Sequence, residues 1–124
     1  REFHTGNIIF ERTPEVAASF SMNSTTYSAV MDGMGLVVSS PTSMTSRFLA
    51  DYPVKVGAKT GTAQVGDGSA DNCVFAAFAP FDDPEIVFSC VIEHGVNGYY
   101  AAMGARAVFN SYFGFSDAPD TPAS

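Results

Sequence analysis

Residues 73–79 form an unbroken apolar run, Cys-Val-Phe-Ala-Ala-Phe-Ala, closed by the turn Pro80-Phe81-Asp82-Asp83-Pro84. Such a run is too short for a buried helix and reads as a strand. A second apolar run, residues 86–93, begins directly after the turn. Strands joined by so short a connection are antiparallel neighbours, because a parallel pair needs a long crossover. If Pro80 faces Glu85 across the turn, Cys73 faces Ile92 and Phe75 faces Cys90. Both runs are apolar at successive positions, which predicts a sheet covered on both faces.

Residues 54–64 read as a strand before this pair, joined to it by a loop at 66–71, so the second half is a three-stranded meander. Residues 99–113 follow as an Ala-rich helix. Its Gly104 permits close approach to the sheet, and Gly114 ends it. Upstream, Tyr27, Val30, Met31, Met34, Val37 and Val38 recur at helical spacing, predicting an amphipathic helix of about four turns with Asn23 as its N-cap. Gly33 and Gly35 within it each cost roughly 1 kcal/mol relative to Ala, so tertiary packing has to hold it. Residues 39–46 read as a Ser/Thr/Pro loop, 7–11 as a strand led by Ile8, Ile9 and Phe10, and 16–20 as a second extended piece. The expected fold class is α+β. Residues 1–115 form one folded region, and 116–124 form a Pro/Asp/Ala/Ser tail expected to be disordered.

The chain of 124 residues carries 6 bases against 13 acids, a net charge of −7, and no basic cluster. Nucleic-acid binding requires clustered Lys and Arg and is set aside. No run of about 18 apolar residues is present, so no membrane span is expected. Arg1-Glu2-Phe3-His4 lacks the apolar region of a signal peptide. Cys73 and Cys90 make no CxxC and have no histidine at ligand spacing, so no metal site is expected. Their expected register makes them neighbours rather than a pair, which predicts free thiols.

One strand is at odds with pure packing. In Val54-Lys55-Val56-Gly57-Ala58-Lys59-Thr60-Gly61-Thr62-Ala63-Gln64, an apolar segment abruptly gains Lys, two Thr and Gly. Local conflict of this kind marks functional sites. Lys59 supplies a positive charge, and the hydroxyls of Thr60 and Thr62 can donate to a carboxylate. Gly61 lets a substrate backbone lie against the strand. The other polar and aromatic residues have plainer readings. Asp67, Asp71, Asp82 and Asp83 read as solvated turn residues, and His4 and His94 as loop residues with nothing beside them to complete a triad. Tyr99, Tyr100 and Phe109 read as packing residues.

The run Lys-Thr-Gly-Thr-Ala-Gln, residues 59–64, resembles the third active-site motif of penicillin-binding proteins, a motif shared with class A β-lactamases. Residues 72–86 resemble the strand, turn and strand that follow it in that family. Val91-Ile92-Glu93-His94-Gly95 resembles the family's Val-Val-Glu-Asn-Gly ending, and Asp32-Gly33-Met34 with Leu36-Val37-Val38 resembles its helix before the motif. The resemblance covers residues 7–114 and is nearest to the C-terminal part of the class B transpeptidase domain. Gly57-Ala58 stands where the family usually has Ala-Gly.

Two of the family's motifs are missing. Lys55 and Lys59 are the only lysines, with Tyr52 and Val56 three residues before them, so the sequence holds no Ser-x-x-Lys. Ser21-Met22-Asn23 fits the second motif, Ser-x-Asn, in form alone, because it lies on the wrong side of the helix before the motif strand. The resemblance implies a D,D-transpeptidase that binds stem peptides ending in D-Ala-D-Ala and β-lactam antibiotics, on the extracytoplasmic face of a bacterial membrane, with no cofactor. It implies that Lys59 orients the second-motif serine and favours the anionic substrate. It also implies that Thr60 and Thr62 hold the terminal carboxylate beside Gly61, and that the Thr62 N–H is half of the oxyanion hole. The catalytic residues are then Lys59 and Thr62, the substrate-binding ones Thr60, Gly61 and Thr62. Without the nucleophile the chain alone is expected to be inactive. A β-lactam sensor, a class D β-lactamase or a non-catalytic scaffold of the same fold are the alternatives. In the resembled family strand 86–93 pairs outward with the upstream part of the domain. Here the expected cover is a second copy of the chain or residues 7–11.

Overall fold

The computed structural model describes residues 4–8, 10, 13, 15–66, 68–95 and 98–116. In chain order the elements are helix α1 (Ser24–Ser39), the short helix α2 (Ser46–Leu49), strands β1 (Gly57–Ala63), β2 (Asn72–Ala79) and β3 (Ile86–Ile92), and helix α3 (Tyr100–Phe113). The three strands form one antiparallel sheet in the order β1-β2-β3. Cys73 pairs with Ile92 and Phe75 with Cys90, the register expected from the turn, and both cysteines are free. The Glu85 N–H donates to the Ala79 carbonyl at 3.0 Å and closes that turn. This is the α+β meander with helices that the sequence predicts.

Strand alternation sorts the sheet into two faces. Cys73, Phe75, Ala77 and Ala79 of β2 are all buried, and Ala101, Ala102, Ala105 and Phe109 of α3 are buried with Phe75, Ala77 and Ala79 in one core that also holds Val38, Leu49, Tyr52, Val56 and Ala58. An added Cβ on Gly104 would lie 3.4 Å from the Phe88 ring, so a glycine there lets α3 press onto β3. Gly114 closes α3 at φ 74°, the left-handed conformation expected of a terminal glycine. At the other end of the chain Asn23 caps α1, its side chain accepting the Thr26 N–H at 2.8 Å.

Several expectations are corrected. The opposite sheet face is open at β3, where Val87 is 71 % and Val91 61 % exposed, since α3 covers the Phe75 side and α1 reaches the sheet through β1. Asn7, Ile8, Phe10 and residues 16–20 form no strand; Ile8, Phe10, Val16 and Phe20 are exposed and have no ladder to join. The outer edge of β3 is therefore not covered by residues 7–11 so far as these are described, Ile9 and Glu11 lying outside the described residues. The apolar stripe of α1 is buried only toward its C-terminus, at Val38, while Tyr27 and Val30 are exposed. Finally, β1 begins at Gly57 rather than 54, and α2 follows the Ser/Thr loop with no pattern to announce it. The Lys55 carbonyl is instead taken by the Phe81 N–H at 2.8 Å, beyond the regular ladder. The expected tail, apart from Ser116, and Asp67 lie outside the described residues.

Gly57 explains its own place in the sequence. It pairs with Phe78 across the strands, and a Cβ added there would stand 2.3 Å from the Phe78 ring. The ring lies over the glycine and stacks on Phe81 at 5.8 Å, an aromatic covering of a strand glycine. Gly57→Ala forces that ring away and is expected to cost about 1–3 kcal/mol. In the Phe78→Val background the same substitution is expected to cost much less. A double-mutant cycle by urea unfolding measures the coupling, and additive effects would remove this explanation.

Candidate functional site

The Lys-Thr-Gly segment sits on β1, at the sheet edge opposite β3. Thr60 pairs with Phe75 and Thr62 with Cys73, so the two threonines share the face that carries the core, and Gly61 lies between them. Thr60, Gly61 and Thr62 line a groove of about 290 Å³, with Ser43, Met44 and Thr45 along one side and Gly98 and Tyr99 also on its wall. The groove thus joins three segments distant in sequence: the strand, the loop before α2 and the loop before α3.

Lys59 does not line this groove. Alternation along β1 turns its side chain to the other face, where it is exposed, and its ammonium donates to the Thr60 carbonyl. Of the residues assigned from sequence, Thr60, Gly61 and Thr62 are gathered in one place, and Lys59 lies beside them on the same strand but outside the groove.

The loop at 40–46 is held by its own hydroxyls. The Ser43 Oγ donates to the Val37 carbonyl at 2.5 Å, and the Ser46 Oγ to the Ser43 carbonyl at 2.7 Å. Side-chain bonds of this type fix Ser/Thr-rich turns without a regular ladder. Thr45, 1 % exposed, anchors the loop just before α2. The ring of Phe48 on α2 stacks on Tyr99 with centroids 6.2 Å apart and planes within 8°. Tyr99 also meets Tyr100, with centroids at 4.3 Å. A hydrogen bond with Tyr100, followed by desolvation, holds the Tyr99 phenol above its ordinary pKa, and Arg47 opposes this weakly. The phenol is therefore protonated at neutral pH.

At the end of the sheet that carries Thr62, His94, at φ 54°, donates its backbone N–H to Asn72 Oδ1 at 3.0 Å, and its ring Nδ1 lies 3.0 Å from the Ala70 carbonyl. It clasps the loop before β2 to the loop after β3. Asp82 and Asp83 are exposed and Asp71 is half-buried. Among the described residues no three His, Cys, Asp or Glu come together as a metal site. No helix among them is long and apolar enough to cross a membrane. A larger cavity of about 380 Å³ lies between Asp32, Gly35 and Leu36 of α1 and Leu49, Val56 and Phe81. Its lining is mainly apolar, with Asp32, Ser39 and Lys55 among it, and shares no residue with the Thr60 groove, whose hydroxyls and backbone suit a polar ligand.

Sequence reasoning missed Ser43, Met44, Thr45 and Gly98, and it placed Tyr99 among packing residues. The first four belong to no periodic element, and α2, which directly follows the first three, is too short to show as a pattern.

Comparison with known proteins bears on this arrangement. The family model of the penicillin-binding protein transpeptidase domain matches residues 3–113. The peptidoglycan D,D-transpeptidase MrdA of Escherichia coli K12 is 26 % identical over 106 residues, covering 74 % of this chain and 17 % of that protein. MrdA of Haemophilus influenzae Rd is 30 % identical over 115 residues, covering 81 % of this chain and 16 % of that protein. The chain thus spans about a sixth of the curated relatives it matches. Among solved structures, Pseudomonas aeruginosa PBP2 in complex with WCK 5153 superposes with a TM-score of 0.69 at 24 % identity, over 91 % of this chain and 26 % of that one, and shows the shared fold. The D,D-transpeptidase domain of a peptidoglycan glycosyltransferase from Eggerthella lenta gives 0.57 at 29 % identity, over 73 % of this chain and 20 % of that one. With the family model matched from end to end of the folded region, and the Lys-Thr-Gly strand at the sheet edge, the chain belongs to the transpeptidase domain family of penicillin-binding proteins, in its class B branch.

Proposed function

We propose that this chain supplies the Lys-Thr-Gly strand and half of the oxyanion hole to a peptidoglycan D,D-transpeptidase acting by serine acyl transfer. The observation that carries the reading is the groove in which Thr60, Gly61 and Thr62 meet along one strand. A peptide laid along β1 meets backbone groups, two hydroxyls and no side chain at Gly61. The nucleophile is a serine of a Ser-x-x-Lys motif that this sequence does not contain. Its Oγ attacks the penultimate D-Ala carbonyl of a stem peptide, the Thr62 N–H stabilises the oxyanion, and the terminal D-Ala leaves as the free amino acid. The amine of a neighbouring stem then attacks the ester, forming the cross-link and releasing the serine. Thr60 and Thr62 hold the terminal carboxylate, and Lys59 acts from the neighbouring position on the strand. A β-lactam enters by mimicry of the D-Ala-D-Ala terminus. Catalysis of this kind belongs at the extracytoplasmic face of a bacterial membrane. The outer edge of β3, unpaired among the described residues, is where the upstream portion of the domain, or a second copy of the chain, would pair.

Labelling with a fluorescent penicillin tests the reading. The chain alone is expected to form no adduct, and the chain joined to its upstream sequence is expected to be acylated at a serine outside residues 1–124. Thr62→Val in the joined protein is expected to weaken recognition of the carboxylate while sparing the maximal acylation rate, because the backbone N–H survives. An adduct on a hydroxyl of this chain would reassign the nucleophile. A joined protein that is never labelled would leave a scaffold of the same fold. Rapid deacylation in place of aminolysis would identify a β-lactamase.

A further inference from the structure

We infer that Arg106 of α3 is a positioning residue that sets both walls of the groove over Thr60, Gly61 and Thr62 from behind. Helix α2 has 4 residues and cannot hold its shape alone. Its last carbonyls have no partner within the helix. The Arg106 guanidinium supplies one, donating to the Phe48 carbonyl at 2.6 Å, and also donates to Asp51 Oδ1 at 2.8 Å. The same group lies 5.5 Å from the centre of the Tyr52 ring. One guanidinium nitrogen serves both acceptors while the planar group lies over the Tyr52 ring, an arrangement whose geometry a compact ammonium does not reproduce.

The ion pair is the minor part of this arrangement. The Asp51 side chain is 76 % exposed, and pairs so placed contribute little. The bond to the Phe48 carbonyl is half-buried and ties the backbone itself. Both ends of that tie matter to the groove. On one side, α2 continues directly from Ser43, Met44 and Thr45, which line it. On the other, Phe48 stacks on Tyr99, which lines it as well. Arg106 stands on a helix whose Ala102, Ala105 and Phe109 are fully buried in the core with Phe75 of β2. The walls are thereby referred to the same sheet that carries the threonines, and their spacing is fixed by α3 rather than by the loops themselves.

The catalytic readout rests on the proposed acyl transfer, while the positioning does not. In the chain joined to its upstream sequence, Arg106→Met is expected to raise the half-saturating concentration of a fluorescent penicillin about tenfold per folded molecule, with the maximal acylation rate changed less than about twofold. Arg106→Lys, which keeps the charge and N–H donors but loses the planar guanidinium, is expected to fall between Arg106→Met and the unaltered protein. Hydrogen exchange in the same proteins is expected to quicken over residues 43–49 and to stay unchanged over β2. A half-saturating concentration that does not move, or unchanged exchange over 43–49, overturns the inference. If Arg106→Met fails to fold, Arg106→Lys decides it by the same two measurements. If the unaltered joined protein takes no penicillin, the acyl-transfer reading fails, and exchange over 43–49 still decides the role of Arg106.

Discussion

Lys59→Ala in the chain joined to its upstream sequence is expected to slow acylation by a fluorescent penicillin about a hundredfold, or about 2.7 kcal/mol of transition-state stabilisation. The size follows from what Lys59 is free to do. Its side chain is exposed on the face of β1 away from the core, and its ammonium donates to the carbonyl of the next residue in the chain. Nothing in the packing depends on it, and stability is expected to change by less than about 0.5 kcal/mol. The loss therefore appears in the rate and not in the melting curve. Stopped-flow labelling alongside urea unfolding separates the two, and a loss of less than tenfold would take Lys59 out of the acylation step.

Phe109→Ala is expected to have the opposite signature. Phe109 is 0 % exposed and meets Tyr52 at a centroid distance of 6.2 Å, in the core between α3 and the sheet. Truncating such a ring removes its burial and leaves a cavity, at a cost of about 3–5 kcal/mol. A small domain has only about 5–15 kcal/mol of stability in total, so this loss removes a large share of it. Val108, its neighbour on α3, is 41 % exposed, and Val108→Ala is expected to cost less than about 1 kcal/mol. Equal midpoints for the two variants in urea would show that the α3 interface is not where the fold is held.

The meander was legible because an apolar run between turn residues leaves little choice. Once Pro80 was set against Glu85, strand period 2 determined every later partner, including Cys73 with Ile92. The helix caps at Asn23 and Gly114 were legible for a similar reason, each residue type matching one backbone geometry. What covers an apolar residue was not legible. Val87 and Val91 read like Phe88 and Cys90 in the sequence, and only the placement of α3 distinguishes the exposed pair from the packed one. Ile8, Phe10, Val16 and Phe20 look like strand residues, but a strand requires a partner that the residues themselves do not name. The site divided in the same way. Thr60, Gly61 and Thr62 came from one contiguous motif, whereas Ser43, Thr45, Gly98 and Arg106 reach it by tertiary folding.

The alternation that separates Lys59 from Thr60 and Thr62 limits how this stretch of gene can drift in length. Removing or adding one codon between Gly57 and Lys59 would reverse the parity of everything beyond it, turning the lysine toward the core and the threonines toward solvent. The groove and the hydrophobic interior would fail together. The link between β1 and β2 carries no such parity, because the register is re-established by the ladder on its far side. Length variation among natural relatives should therefore collect in that link, around Gly66, and be absent from the motif strand. An insertion library across residues 57–72, scored by folding alone, would reproduce the same division without reference to catalysis.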